Sequence, residues 1–590
     1  MSENKYLEKE DLENNPALKF AMEYEYAPYS TETGLDKILT GEQSHKCPVY
    51  VKRIPPCTNS CPAGEDIRGY QNILRGVETV EGIDDKWEAA WRRLVENNPF
   101  PAIMGRICPA PCEGGCNRAE VDETVGINSI EHALGQYALE KGFGLGEAGK
   151  DSGKKIAVIG AGPAGLSAAY QLRKKGHAVT IYESQKKTGG MMRYGIMGYR
   201  VDREILDSEI QRILDLGVEM KTGVKIGSDV QLSDLEKQYD AVFLGVGAQQ
   251  GRNLPVTGFD NSPYVSNAIK FLMEYEQDPE KMIIGKNIVV LGDGDVAMDV
   301  ARLGLRLGSK ATILSAVDRE DMNCSAPEFD EAVDEGTEFT YNVSVTEVLK
   351  DGDKVRALKC VKMTKKEKGE DGWNHAIPFM RYKQVEGSEF ELETDMVVAS
   401  IGQATDMSGF EDVANNKGFL PIDMNHQVKN REKLFAGGDA IKIDLITTAV
   451  GHGRKAAESI DVYLSGKPQP AKIRHEIADF KKIRPYFFEK TDKSKRSHRK
   501  IDNVVGNFAE ILEPLESSMA EWEANRCMSC GLCFTCKQCL LYCPQEAISL
   551  DRKSPIGEKM FTDYNKCVGC HICHEICPSG FIDMAMGEDL

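Results

Sequence analysis

No stretch of this 590-residue chain approaches the roughly 18 to 20 consecutive apolar residues that a membrane span requires. Its opening, MSENKYLEKEDLENNP, lacks the basic n-region and apolar h-region of a secretory signal, so the expected location is the cytoplasm. Positive charge is in short supply: 73 Lys and Arg against 92 Asp and Glu leave a net charge of −19. That sign removes nucleic acid and anionic membranes as default partners. No long tandem repeat is present either, and the length points to about three to five separate cores.

Cysteine is what the middle of the chain lacks and the two ends have. Of 18 cysteines, six lie from Cys47 to Cys116 and ten from Cys527 to Cys577, with only Cys324 and Cys360 in between. Without an export signal, such clustering predicts metal or redox chemistry rather than disulfides. Cys324 and Cys360 read as small buried hydrophobes.

The intervening composition predicts an α/β fold class. Gly-bounded β-branched runs (KIAVIGAG, HAVTIYES, DAVFLGVG, NIVVLGDG, KATILSA, DMVVASIG, LFAGGD) alternate with helical patterns, which predicts parallel sheets with crossover helices. The expected division is a helical, Cys/Pro-rich domain at 1–150, a discontinuous α/β domain at 151–250 and 395–470 interrupted by a second α/β domain at 251–394, and a Cys-rich terminal domain at 521–590. The basic stretch KKIRPYFFEKTDKSKRSHRK, within 471–520, has little apolar periodicity and reads as a solvated linker.

The strongest motif is the duplicated run Cys533-x2-Cys536-x2-Cys539-x3-Cys543-Pro and Cys567-x2-Cys570-x2-Cys573-x3-Cys577-Pro. This spacing specifies two [4Fe-4S] clusters in which the fourth cysteine of each run serves the other cluster. One set is therefore Cys533, Cys536, Cys539 and Cys577, and the other is Cys567, Cys570, Cys573 and Cys543. Tetrahedral zinc has no use for the paired pattern. Cys527 and Cys530 read as a supernumerary pair, and His571 and His574 as polar packing.

Two dinucleotide fingerprints sit in full strand–turn–helix contexts. The first has Gly160, Gly162 and Gly165, followed by Glu183 at the end of the next strand; the second has Gly292, Gly294 and Ala297. Glycines allow the tight turn and close pyrophosphate approach, the helix N-terminus faces the phosphates, and the carboxylate receives ribose hydroxyls. Two such units predict a nicotinamide and a flavin exchanging a hydride, chemistry that needs no acid–base residue from the protein.

From Cys47 to Gly466 the chain resembles the small, NAD(P)H-oxidising subunit of bacterial glutamate synthase and related iron–sulfur flavoproteins. The motifs that carry this are PCTNSCPAGEDIRGY, NPFPAIMGRICPAPCEGGC, the flavin fingerprint, TGGMMRYGI, GDGDVAMDVAR, and LFAGGDA before TTAVGHGRKAA. With its terminal ferredoxin unit it is similar to flavoproteins that serve dissimilatory sulfite reductase or 2-oxoacid:ferredoxin oxidoreductases. The resemblance implies FAD held by Gly160, Gly162, Gly165, Glu183, Gly189, Gly190, Met191, Arg193 and Asp439, with the nicotinamide dinucleotide at Gly292, Gly294, Asp295, Val296 and Ala297. It implies two N-terminal [4Fe-4S] clusters, one on Cys61, Cys108, Cys112 and Glu131, the other on Cys47, Cys57 and Cys116. The second set is one ligand short, and His45 reads as an ordinary surface histidine. NADPH-specific relatives place an Arg pair where this chain has Ala316 and Val317, which implies NAD(H) in preference to NADP(H). The expected activity is electron transfer between the nicotinamide, FAD and clusters, and a ferredoxin or partner redox enzyme. The expected assembly is a homodimer or a hetero-oligomeric complex. The alternatives are an electron-input subunit of a glutamate synthase or bifurcating transhydrogenase, and a pure electron carrier.

Overall fold

The computed structural model describes residues 44–260, 262–468, 476–499 and 503–586. The acidic opening segment, on which the expected location partly rested, lies outside them.

The N-terminal unit is helical. Asp66 and Asp85 accept backbone N–H bonds from Gly69 (3.1 Å) and Trp87 (2.9 Å), starting the helices Ile67–Leu74 and Lys86–Val95. Proline occupies the first turn of Pro56–Ser60 and Pro101–Ile107, where its missing N–H costs nothing. These helices close with Ile127–Glu140 over a core that includes Tyr70, Trp91, Phe100 and Leu134.

Two parallel five-stranded sheets follow. The first runs in the order Leu434–Ala436, Ala241–Leu244, Lys155–Ile159, Ala178–Glu183, Glu219–Thr222, and the second Glu338–Thr340, Lys310–Leu314, Asn287–Leu291, Met396–Ala399, Val265–Asn267. The chain leaves the first sheet before completing it, builds the second, and returns. The two crossings pair as the short antiparallel ribbon Gln250–Gly251 with Gln403–Ala404. The interleaving of two Rossmann-like domains therefore stands. An antiparallel sheet spanning Val343–Asp351, Lys354–Lys365, Tyr382–Gln384 and Phe390–Glu393 is inserted into the second unit.

The two ends of the chain meet. Strand Cys47–Tyr50 pairs antiparallel with Ile582–Ala585, with Cys47 opposite Ala585. Among its described residues, the stretch read as a solvated linker is instead a docked strap. Ile483 and Phe488 are buried with Val121 and Met528. Lys493 Nζ bonds Glu113 at 2.6 Å, and Arg496 donates to Gly105 O (2.6 Å) and Asn128 Oδ1 (2.9 Å). Periodicity missed this because Ile483 and Phe488 follow two short turns, Phe480–Lys482 and Pro485–Phe487, and do not share a helical face. Among the described residues no helix is long and apolar enough to cross a membrane.

Candidate functional site

The first fingerprint opens into two clefts of about 1020 and 500 Å3 that share Gly160, Glu183 and Gln249. The smaller is also lined by Gly162, Gly190, Met191 and Asp439. Gly162 caps the helix Pro163–Lys174, and a Cβ on Gly190 would stand 2.7 Å from Gly162 Cα. The turn is thus a cradle that side chains would fill, as a dinucleotide pyrophosphate requires. Gly165 and Gly189 shape it from behind: a Cβ on Gly165 would meet Gly160 O at 1.9 Å, and Gly189 N–H bonds Ala161 O at 2.8 Å. Glu183 is buried and accepts from the backbone N–H groups of Ala161 and Gln185, both at 2.7 Å, so it braces the turn it was expected to serve. Burial raises the Asp439 carboxyl to about 6.

Arg193 lies among counter-charges outside the two clefts. Its guanidinium is buried, donates to Thr188 O at 2.6 Å and pairs with Asp207 and Glu276. It lines neither cleft. A buried cation is held by its counter-charges, and here they lie on neighbouring helices.

Sequence reading missed His452, which has no motif of its own. Its Nδ1 accepts the Gly438 N–H at 3.2 Å, beside Asp439, and its ring lies 5.0 Å from that of His426. Burial, with His426 and Lys455 nearby, pushes His452 from 6.5 down to about 4. The fold therefore favours the neutral ring. Stability is full above about 6.5 and declines as pH falls towards 4, with no further change from this group below that. His452→Gln, which cannot gain the proton, should flatten that part of the curve. Melting followed by flavin fluorescence from pH 7.5 to 4 checks it, and an unchanged pH profile would contradict the role.

At the second fingerprint, Gly292 adopts φ +128°, and a Cβ there would meet Ser400 O at 2.2 Å. Gly294 caps Asp295–Arg306 and has nothing within 4 Å of where a Cβ would stand, leaving the helix N-terminus open to a phosphate. Asp295 accepts from Ser325 N–H at 2.7 Å, Val296 is half-buried, and Ala297 is buried against the sheet. Val317 is fully buried, and the Arg319 guanidinium stacks 3.6 Å from the centre of the Phe329 ring.

The cysteines fall into four groups. Cys533, Cys536, Cys539 and Cys577 line one apolar hollow, and Cys543, Cys567, Cys570 and Cys573 another. Backbone N–H groups of Phe581 and Ala547 point at the Cys577 and Cys543 sulfurs, both at 3.3 Å. Burial, then the facing Cys577 and Cys533 thiols, push Cys536 up to about 12. Such thiol sets fit cubane clusters. Among the described residues no group of His, Cys, Asp or Glu converges on a single metal ion.

Cys61, Cys108, Cys112 and Glu131 come together as a third group, with one addition. Glu65 stands beside them, and Asn98 Nδ2 donates to both Glu65 Oε1 (2.9 Å) and Glu131 Oε1 (2.8 Å). Burial raises Glu65 to about 7 and, with Glu65 adjacent, raises Glu131 as well. Glu65 was invisible in sequence because it looks like part of a loop.

The fourth group corrects the sequence reading. Cys47 does not join Cys57 and Cys116. It lies on the terminal strand pair and shares a side-chain hydrogen bond with Cys567. The thiols facing Cys57 are Cys116, Cys527 and Cys530. The pair read as supernumerary is thus inside the N-terminal unit. His45 is exposed; His571 bonds Ser44 Oγ at 2.5 Å and His574 bonds Ile582 O at 2.6 Å, both polar packing roles.

Residues 154–453, half of the chain, match the pyridine nucleotide-disulphide oxidoreductase family. The chain belongs to that family. Residues 30–143 match dihydropyrimidine dehydrogenase domain II with its 4Fe-4S cluster, and residues 526–581 match a 4Fe-4S dicluster domain. The chain is 31% identical to the NADP(+)-dependent formate dehydrogenase subunit beta of Moorella thermoacetica over 80% of this chain and 70% of that protein. It is 31% identical to the NADPH-Fe(3+) oxidoreductase subunit beta of Geobacter sulfurreducens over 81% and 75% of the two chains, and 34% identical to the glutamate synthase [NADPH] small chain of Escherichia coli over 69% and 88%. It is an NAD(P)H-dependent iron–sulfur flavoprotein oxidoreductase with FAD and [4Fe-4S] clusters. Within the family match the only cysteines are Cys324 and Cys360, so the dithiol of the family's title has no counterpart beside the flavin cleft.

Proposed function

We propose that this chain oxidises NADH and passes the electrons to a partner protein, as the nicotinamide-oxidising subunit of a larger assembly. The observation that carries this is continuity. One helix, Ile446–Ser465, packs on both the flavin-cradle helix and the Cys61 loop, so closely that a Cβ on Gly453 would meet Ala164 O at 2.2 Å and one on Gly451 would meet Pro62 O at 2.1 Å. The nucleotide cleft and the first cysteine group are thereby rigidly joined.

Bound flavin and clusters supply hydride exchange and one-electron relay. The protein's own part is to hold and insulate them. Gly160, Gly162, Gly190, Met191, Glu183 and Asp439 form the flavin cradle, and Gly292 and Gly294 leave the second helix N-terminus free for a dinucleotide. Cys61, Cys108 and Cys112 with Glu131 would hold one cluster, and the two terminal quartets two more.

NADH is favoured over NADPH because Ala316 and Val317 stand where NADPH-specific relatives place an Arg pair. Val317 is buried and Arg319 is engaged with Phe329. Two of the relatives described above are named for NADPH and one for NADP(+), so the expectation is a departure from them. Two are named as beta subunits and one as a small chain, which supports a hetero-oligomer with a separate redox enzyme over a homodimer. None of them is named for sulfite reductase.

Anaerobic titration of the full chain tests the reading. NADH should bleach the flavin, with a lower half-saturating concentration than NADPH. Equal or better reduction by NADPH would overturn the preference, and no bleaching by either would favour a pure electron carrier.

A further inference from the structure

We infer that Cys57, Cys116, Cys527 and Cys530 together hold one [4Fe-4S] cluster, which joins the two ends of the polypeptide. The N-terminal unit alone offers only two cysteines to this position, and the chain's last domain supplies the missing pair.

Cys57 lies on the short helix Pro56–Ser60 and Cys116 just ahead of the turn Asn117–Glu120. Cys527 and Cys530 follow the helix Ser517–Asn525, which packs on the N-terminal helices through buried Ala520 and Ala524. The x2 spacing of Cys527 and Cys530 matches neighbouring ligands of a cubane. All four thiols are described as unpaired, so they are not consumed in disulfides.

The surroundings are built for an anionic centre. Arg75 donates to Cys527 O and Arg68 to Cys530 O, both at 2.6 Å, fixing the loop that carries the two thiols. Asn117 Nδ2 reaches the Cys530 sulfur and Ser529 N–H the Cys527 sulfur, both at 3.5 Å. Ser529 is buried at φ +49° and bonds Asn72 at 2.6 Å, so the loop is held in a conformation that L-residues seldom adopt. Arg68 Nε is buried without a hydrogen-bond partner among the described residues, a donor left for the cluster's sulfur. Each thiol would give up its proton as its sulfur bonds an iron. A lone zinc ion fits less well, since the four thiols do not converge on one point.

The inference rests on the chain being an iron–sulfur protein, but its test reads iron instead of turnover. Anaerobically prepared full chain and the double variant Cys527→Ser/Cys530→Ser are compared for iron, sulfide, zinc and flavin, and by EPR after dithionite reduction. The variant should lose about four irons and four sulfides per chain and one EPR signal, with flavin retained. Cys47→Ser should keep its full iron content. Should the double variant not fold, Cys530→Asp, whose carboxylate can still ligate, should keep the iron and shift that one EPR signal. Unchanged iron in the double variant, an unshifted spectrum in Cys530→Asp, stoichiometric zinc in the parent chain, or loss of about four irons in Cys47→Ser would each overturn the assignment.

Discussion

Cys577→Ser should empty the hollow formed by Cys533, Cys536 and Cys539, although Cys577 belongs in sequence to the other run. The Cys577 thiol faces all three and raises each of them. The terminal unit has a small core, chiefly Ile548, Met560, Phe581 and Ile582 with the cysteines themselves. Metal binding there is a large part of the folding free energy, as in other small metal-dependent domains. The expected result is loss of about four irons, with faster proteolysis near residues 533–539 while the other quartet keeps its iron. EPR decides the grouping: Cys577→Ser and Cys533→Ser should remove the same signal, and Cys543→Ser and Cys567→Ser the other. If Cys577→Ser instead matched Cys567→Ser, the crossed assignment would be wrong.

Gly160→Ala should abolish most flavin binding while leaving the clusters in place. Gly160 sits at φ +99°, and a Cβ there would stand 2.4 Å from Gly245 O. Both atoms belong to turns at the ends of adjacent strands, Lys155–Ile159 and Ala241–Leu244, so neither can yield cheaply. Strain of about 1–3 kcal/mol from the backbone conformation alone, added to that clash at the base of the cradle, predicts at least a tenfold fall in bound FAD. Flavin absorbance per chain, against unchanged cluster EPR, measures it. Gly294→Ala is the matched control, since nothing lies within 4 Å of its added Cβ. It should keep its flavin, and equal flavin loss in both variants would remove the steric argument.

Much of this was legible before any coordinates. The terminal quartets and both fingerprints are local patterns, and local spacing is enough when ligands lie on one turn or one loop. Arg193 shows the limit: its place in TGGMMRYGI fits a cofactor residue, but the carboxylates that hold it, Asp207 and Glu276, come from two later helices, Arg203–Leu214 and Ala268–Gln277. Glu65 and His452 lie within PCTNSCPAGEDIRGY and TTAVGHGRKAA, but nothing in the spacing singles them out. Their roles arise from burial beside Glu131 and Gly438 respectively. The strap failed for a related reason, since Ile483 and Phe488 share no helical face and are buried with Val121 and Met528 from distant parts of the chain.

From sequence alone came the chemistry: a nicotinamide, a flavin and cubane clusters, because each requires particular residues at short fixed intervals. Only the tertiary structure brought certain distant cysteines together, placing Cys47 beside Cys567 and Cys527 and Cys530 beside Cys57 and Cys116. Spacing constrains neighbours along the chain, whereas the company a thiol keeps across hundreds of residues is set by how helices and strands pack.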